Sequence, residues 1–484
     1  MKILIVIIQL FLLFTFTFSQ PYLIWTRTYN SGNPDYAFGV VTDSFNNIII
    51  AGSSYNGSDY DFYTIKYTPY GDTIWTRVFD AGGSDIAHGI AIDNEGNFVI
   101  TGTSRLDTIY DYLTIKYDSS GNFIWEKRYQ TGEDNIGTSV AFDSTQNIII
   151  TGYSFKGLDY DYLTIKYNSN GDTIWTRRYD DGFNDIANDI TTDRSGNIIV
   201  TGSSFSDTIN LYTYLTIKYS PDGETLWTRR YHYDSRNSYA HGVAADTTGA
   251  IIVSGQPDYP GRYITLKYTP QGDTIWTRYH YLGSMTSWCV RDVAIDRFND
   301  IIITGEYYSS ASIFDSYNYH TLKYTSGGDS VWVIEYDSGD DIDDYAQGVA
   351  CDLFGCIIIT GYAFNENNAD YLTIKYTEEG AIVEKIRMPA AVKGFEVYSP
   401  YPNPFKSQTQ IKYLFAKNAC IKINVYDING RLVRNLLNQN LQEGVRIAVW
   451  DGKDKNCKLS PPGVYFMRLE TPNKSITKKI IKIK

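Results

Sequence analysis

The stretch DYDYLTIKYNSNGDTIWTRRY, Asp159 to Tyr179, decides the fold, because close versions of it recur along the 484-residue chain. Its two halves are β-branched and aromatic, and the Asn-Ser-Asn-Gly-Asp between them is tight-turn chemistry. Nothing in it has the composition of a catalytic motif. Repetition of a motif built on Tyr, Lys, Trp and Arg poses one question: is a site copied, or a scaffold?

The tryptophans set the period. Trp25, Trp75, Trp125, Trp175, Trp227, Trp276 and Trp332 are spaced by about fifty residues, and between them four segments return in one order. A small alternating segment (AHGIAID, Ala87 to Asp93) precedes an apolar run ending in glycine (NIIITG, Asn147 to Gly152); DYLTIKY and GDTIWTRRY follow. Each is five to eight residues long and bounded by Gly, Asp, Asn or Pro, which is the strand signature. The 43 tyrosines and the few methionines agree with β structure. Four antiparallel strands in fifty residues, seven times over, describe an all-β, seven-bladed β-propeller, since a closed ring buries both faces of units too small to fold alone. An eighth, weaker copy of the Trp strand, GAIVEKIR (Gly380 to Arg387), leaves one copy spare. YLIWTRTY (Tyr22 to Tyr29) matches the consensus better and is expected to close the ring as the outer strand of the last blade.

Residues present in every blade serve what every blade needs. The seven Lys of TIKY (Lys66, Lys116, Lys166, Lys218, Lys267, Lys323, Lys375) are read as stems over apolar surface with paired ammonium groups. The Asp ending each first strand is read as a turn cap, and the Trp as a wedge between blades.

Function is sought where the copies differ. Loops joining strands two to three and four to one vary in length and share one face by propeller connectivity; they are rich in Tyr, Asp, Asn and Ser. Entering the inner strand, one position reads Phe38, His88, Thr138, Asn188, His241, Arg291 and Gln347 around the ring. His88, Asn188, His241, Arg291 and Gln347, with loop residues Tyr212, Tyr259 and Tyr317, are the candidate binding residues for an extracellular glycan or protein. The alternative is a polysaccharide hydrolase or lyase with His88, His241 and Arg291 at the same face.

Catalytic signatures are absent: no HExxH, no G-x-S-x-G elbow, no P-loop or dinucleotide glycine pattern, and five scattered histidines. An enzyme is therefore not the expectation, and no cofactor is implied. The acidic run DSGDDIDDYAQG (Asp337 to Gly348) is the one place where calcium is considered, though it lacks EF-hand spacing. Residues 390–484 carry a net +11 and the remainder −23, which puts a domain boundary near Pro389 and argues against nucleic-acid binding by the acidic part.

At the start, MKILIVIIQLFLLFTFTFSQ combines Lys2, a short apolar run and small residues at Thr17 and Ser19. It reads as a secretory signal peptide, residues 1–19, leaving residues 20–389 as the propeller and no transmembrane span in the mature chain. Among the five cysteines, Cys351 with Cys356 or Cys420 with Cys457 are the pairings considered. A monomer is expected.

From Phe395 the pattern changes to alternating strands with Gly and Pro turns, read as a small Ig-like β-sandwich. YPNPF (Tyr401, Pro402, Asn403, Pro404, Phe405), VYDINGRLVRNL with Asp427, Gly430 and Arg431, WDGKD with Trp450, and GVYFMRLE with Gly463 and Tyr465 resemble, in order, the type A sorting domain of the type IX secretion system. The resemblance implies export across the outer membrane by that machinery and a secreted or cell-surface location. Cys457 stands where the pattern more often has Gly. The repeats, through D-x-x-G-N, I-I-I-T-G and the Tyr-rich third strand, are similar to the SBBP family of β-propeller repeats, which implies a fold and no chemistry.

Overall fold

The computed structural model describes residues 20–258, 261–282, 288–309, 316–339, 342–365 and 367–377 of the first part of the chain. Beyond these it describes 395–397, 400, 403, 405, 409–415, 419–441, 444–450, 452–455, 458–472 and 474–483. The signal-peptide segment 1–19 and the spare strand 380–387 lie outside the described residues. The chain divides into two compact units, Met1–Val383 and Glu384–Lys484.

The first unit is a propeller-like set of four-stranded antiparallel sheets, seven among the described residues, six of them with their strands hydrogen-bonded in chain order. Sheet one spans residues 35–79, sheet two 84–129, sheet three 135–179, sheet four 185–231, sheet five 238–281 and sheet six 288–336. Sheet seven takes its first three strands from 344–377 and its fourth from Tyr22–Tyr29, which pairs with Ala369–Thr377 so that Trp25 stands opposite Lys375. The first strand of every sheet packs beside the first strands of both neighbours, and that of sheet seven (Asp344–Cys351) beside that of sheet one (Asp35–Thr42), closing a ring.

The burial pattern follows from that ring. In sheet three the second and third strands, Ile148–Lys156 and Asp159–Tyr167, are buried at almost every position, because both faces meet a neighbour. The outer strand, Thr173–Tyr179, is exposed or half-buried at every position but Trp175. The apolar clusters accordingly lie between sheets: Tyr162 and Trp175 of sheet three pack with Ile190, Ile198 and Leu215 of sheet four.

The repeated polar residues tie the same joints. Lys166 pairs with Asp143 of its own sheet at 2.8 Å, and its ammonium also donates to the Pro221 carbonyl of sheet four at 2.8 Å. Trp175 Nε1 donates to that same carbonyl at 3.1 Å, and Arg177 Nε to Gly223 O at 2.7 Å. Thus Lys, Trp and Arg clasp the turn between strands three and four of the next sheet. Lys66, Lys218, Lys267, Lys323 and Lys375 make the equivalent pairs with Asp43, Asp193, Asp246, Asp296 and Asp352. Burial raises the Asp143 carboxyl, but Lys166 and the turn's own donors outweigh it and hold it below its ordinary range.

The third-strand tyrosines do the same deeper in. Tyr162 donates its hydroxyl to Leu215 O of the next sheet at 3.1 Å. That contact explains the glycine of I-I-I-T-G: a Cβ on Gly202 would lie 2.0 Å from Ile186 O and 2.8 Å from the Tyr162 hydroxyl.

The C-terminal unit is a three-stranded sheet and a four-stranded sheet sharing one apolar core, with Ile411, Trp450, Ile423, Val425, Met467 and Ile480 fully buried. Cys356 is a free, buried thiol, so the Cys351–Cys356 pairing does not form; Cys457 lies outside the described residues. Among the described residues no helix is long and apolar enough to cross a membrane.

Candidate functional site

Each inner strand carries a β-bulge at one fixed place. Pairing with the second strand shifts between Ala37 and Gly39, Ala87 and Gly89, Gly137 and Ser139, Ala187 and Asp189, Ala240 and Gly242, Val290 and Asp292, and Ala346 and Gly348. The unpaired residue is in every case the variable ring position: Phe38, His88, Thr138, Asn188, His241, Arg291, Gln347. A bulge re-aims one side chain of its strand, and all seven are half-buried. The structure therefore gathers His88, Asn188, His241, Arg291 and Gln347 at one level around the axis.

Several of them tie neighbouring sheets rather than stand open. Asn188 Nδ2 donates to Ala240 O at 2.7 Å, and Thr138 Oγ1 to Ala187 O at 3.1 Å. Arg291 makes a bidentate pair with buried Glu306, at 3.0 Å from Nε and 2.7 Å from Nη2. Beside it Gln256 accepts from Val290 N at 2.7 Å and donates to Cys289 Sγ at 3.2 Å, and His241 Nε2 is 4.0 Å from that sulfur. Burial pushes the Cys289 thiol up to about 11. Burial lowers His88 to about 4; burial and then Arg291 lower His241 to about 3. Both imidazoles are neutral at ordinary pH.

Immediately after the bulge, the repeat's glycine is replaced twice by a carboxylate. Asp189 accepts from Ser139 Oγ at 2.7 Å and from Val243 N at 2.7 Å; Asp292 accepts from Val293 N at 2.7 Å and from Val349 N at 2.8 Å. Burial raises both, and the Asp189 charge raises Asp292 further.

A second feature lies on the variable-loop face. Tyr308, Tyr317, Tyr345, Tyr362 and Tyr36 form a row of rings in contact across sheets six, seven and one, with centroids 5.2, 5.1, 5.2 and 4.9 Å apart, and Tyr60 extends it at 6.0 Å. Tyr317–Tyr345 and Tyr345–Tyr362 are stacked. Phe364 packs on both Tyr345 and Tyr362, and the next residue, Asn365, lines an open cleft of about 410 Å³ with Asn30, Gly32, Asn367 and Asn368. Tyr212 stands apart, between Phe205 and Tyr239. Tyr259 lies outside the described residues.

The sequence reading named Tyr317 and missed its partners. The signal was there: two residues before each bulge the repeat reads Tyr36, Ile86, Ile136, Ile186, Tyr239, Cys289, Tyr345, so apart from Cys289 the column is divided between tyrosine and isoleucine, with tyrosine at sheets one and seven. The histidines treated as scattered are also partly paired. His280 of sheet five and His320 of sheet six are 3.1 Å apart between Nε2 atoms, with His320 Nδ1 3.6 Å from Glu335. Burial, then His320, lowers His280 to about 4.

In the acidic run, Asp344 accepts from Ser338 N and Oγ at 2.7 Å each, Asp337 from Gly339 N, and Asp343 from Tyr317 N. These carboxylates cap loop backbone; Asp340 and Asp341 lie outside the described residues.

In the C-terminal unit, Asn403 accepts from Ile481 N at 2.7 Å and donates to Lys479 O, while Phe405 exchanges backbone hydrogen bonds with Ile481 and Ile483. Asn403 and Phe405 are thereby pinned to the end of the chain's final strand. Phe405, Trp450 and Tyr465 form a buried edge-to-face cluster, with Trp450 centroids 5.4 and 4.8 Å from the other two. Asp427 caps the turn to Arg431, with Gly430 at φ 75°, and Gly463 opens the strand Gly463–Thr471. Tyr401, Pro402 and Pro404 lie outside the described residues.

Comparison with known proteins gives three results. No curated protein matches the chain. Among solved structures, it is similar to PorZ of Porphyromonas gingivalis, described as "an essential bacterial surface component of the type-IX secretion system", at 14% identity and a TM-score of 0.41. That match covers 91% of this chain but only 58% of PorZ. It is also similar to the Pan2 WD40 domain of Neurospora crassa (11% identity, TM-score 0.47, 73% and 95% covered) and to the periplasmic gluconolactonase PpgL of Pseudomonas aeruginosa (8%, 0.45, 86% and 99%). Residues 399–484 match the family described as "Secretion system C-terminal sorting domain". The C-terminal unit is therefore a type IX secretion system sorting domain, which marks the chain for secretion to the cell surface.

Proposed function

We propose that the chain is a surface-displayed recognition protein: a seven-bladed β-propeller of SBBP-type repeats that binds an extracellular glycan through its variable-loop face. Residues 1–19 serve as the export signal, and an Ig-like C-terminal domain hands the propeller to the type IX machinery. The observation that carries this reading is the tyrosine row from Tyr308 to Tyr60, leading by way of Phe364 to the asparagine-lined cleft. Aromatic faces contribute apolar area at low entropic cost, and amides match sugar hydroxyls as donors and acceptors. The ring residues His88, Asn188, His241, Arg291 and Gln347, with Tyr212, are assigned to shaping the same face.

The polysaccharide hydrolase or lyase reading has less support. His88 and His241, lowered to about 4 and 3, are poor general acids near neutral pH, and Arg291 is engaged by Glu306. The test is binding of the purified secreted protein to a panel of extracellular polysaccharides and proteins. Replacing Tyr345 and Tyr362 together by Ala lowers glycan affinity at least ~10-fold, the loss expected of a central aromatic anchor. Unchanged glycan binding in that variant, or binding to proteins alone, overturns the reading.

A further inference from the structure

At the junction of sheets one and two, three carboxylates from three different segments meet. Asp61 lies on the third strand of sheet one, Asp80 just beyond its fourth strand, and Asp85 on the inner strand of sheet two. One oxygen of each lies within 4.8 Å of the others. Asp85 is 0% exposed and Asp61 5%, and each keeps one oxygen, Oδ1, without a hydrogen-bond partner. Their other oxygens are used locally: Asp61 Oδ2 accepts from Asn56 at 2.9 Å and Asp85 Oδ2 from Ala81 N at 2.6 Å.

The repeat supplies its own control. One hundred residues on, Asp161, Asp180 and Asp185 stand at the same three places. There the outer-strand residue opposite Leu163 is Arg178, whose guanidinium donates to Asp161 Oδ2 at 2.6 Å and to Ser154 Oγ at 2.9 Å. In sheet one the residue in that register, opposite Tyr63, is Val78, which is 58% exposed and carries no charge. Arg128 comes from the other side and is held by Asp111 at 3.8 Å and Ala81 O at 3.0 Å. Its counterpart Arg230 is present at the other junction too, where it is bonded to Asp181 at 2.5 Å; Ala81 stands at that place here, and the Arg128 charge acts on Asp85. Asp161 and Asp185 of the copy also keep one oxygen each without a hydrogen-bond partner; what the cluster at sheet one lacks is the guanidinium that meets the third-strand carboxylate there.

We propose that Asp61, Asp80 and Asp85 bind a hard divalent cation, calcium by their all-oxygen, three-carboxylate donor set, which takes the place that Arg178 fills in the copy. Exposed Asp80 leaves the site open to solvent for entry and for completing coordination with water, as calcium's six to eight ligands require. A bound ion ties the strand Tyr60–Tyr67, which follows the variable loop 56–59, to the next sheet, so this site stiffens one sector of the recognition face.

The repeat also provides variants that its own fold accommodates. Val78→Arg installs the residue found at Arg128, Arg178 and Arg230, and Asp85→Asn the residue found at Asn135. The experiment is calcium titration of the chelator-stripped full chain, by calorimetry and by thermal unfolding, with magnesium as a parallel arm. Wild type takes up calcium saturably, and its Tm rises by about 3 °C at a hundredfold excess over Kd. Both variants bind at least ~30-fold more weakly, since each removes the uncompensated charge, and Val78→Arg melts in chelator as wild type does in calcium. No uptake by wild type, preference for magnesium, or uptake unchanged in both variants overturns the proposal; the last would place the ion elsewhere, for example at Asp337 to Gly348.

Discussion

Lys166 Nζ and Asp143 Oδ2 lie 2.8 Å apart, with side chains 4% and 2% exposed, at the place where a sheet hands its turn to the next one. The ammonium also reaches Pro221 O of sheet four, beside the indole of Trp175. The lysine repeated in every blade is thus satisfied within the scaffold twice over, by a carboxylate of its own sheet and a carbonyl of the next.

Removing one partner should therefore be costly. Lys166→Met leaves Asp143 charged, buried and unpaired and destabilises the first unit by about 3–5 kcal/mol. Adding Asp143→Asn recovers part of that loss. Urea unfolding of the two single variants and the double variant measures the coupling; additive effects would contradict the pairing.

Gln146 is the one strained copy of its turn. It sits at φ +66°, where the other sheets use Gly96, Gly196, Gly249 and Gly355, or Asn46 and Asn299. A left-handed conformation costs an ordinary residue roughly 1–2 kcal/mol. Gln146→Gly relieves it and raises stability by about 1 kcal/mol, read as a shift of the denaturation midpoint at constant slope.

Buried titratable groups give stability opposite slopes with pH. Burial raises Asp344 to about 7, so its contribution is fully present below about 4 and lost as pH rises toward 7. The stability of Asp344→Asn relative to wild type therefore increases across that interval and is constant above pH 8. Burial lowers His241 to about 3 from 6.5, so its contribution is present above 6.5 and lost on acidification. His241→Gln relative to wild type improves as pH falls from 6.5 toward 3. Parallel melts of the three proteins from pH 3 to 9 check both signs.

Deleting residues 395–484 removes the buried Trp450 core together with the strand that pins Asn403 and Phe405. The expected outcome is a propeller retained in the periplasm, with the full chain reaching the cell surface. Fractionation of cells expressing either form decides it, and mass spectrometry of the secreted protein's two ends locates both cleavages.

Much of the fold was legible because a repeat states each pairing several times over. The Trp spacing and the Asp-to-Gly turns follow from local sequence, and comparison of the copies gave the closure by Tyr22–Tyr29, observed as pairing with Ala369–Thr377; the second strand, read as ending at its glycine, runs on past it, as Ile148–Lys156 does past Gly152. Legibility was poorer for the candidate site. The ring position was found by comparing copies, but not that it is a bulge, nor that Arg291 is committed to Glu306. Scattered His280 and His320 gave no hint of meeting.

By itself the sequence determined the elements: which segments are strands, where they turn, and that a basic sorting module follows an acidic repeat. Those are short-range consequences of side-chain shape, β propensity and turn chemistry, readable within ten residues. Only the tertiary structure decided which side chains share a joint. Tyr317, Tyr345, Tyr362 and Tyr36 come from three sheets, and Asp61, Asp80 and Asp85 from three segments. Their meeting depends on ring closure, which brings together positions that no local pattern relates, and at such junctions one changed residue, Val78 for Arg178, alters the charge balance.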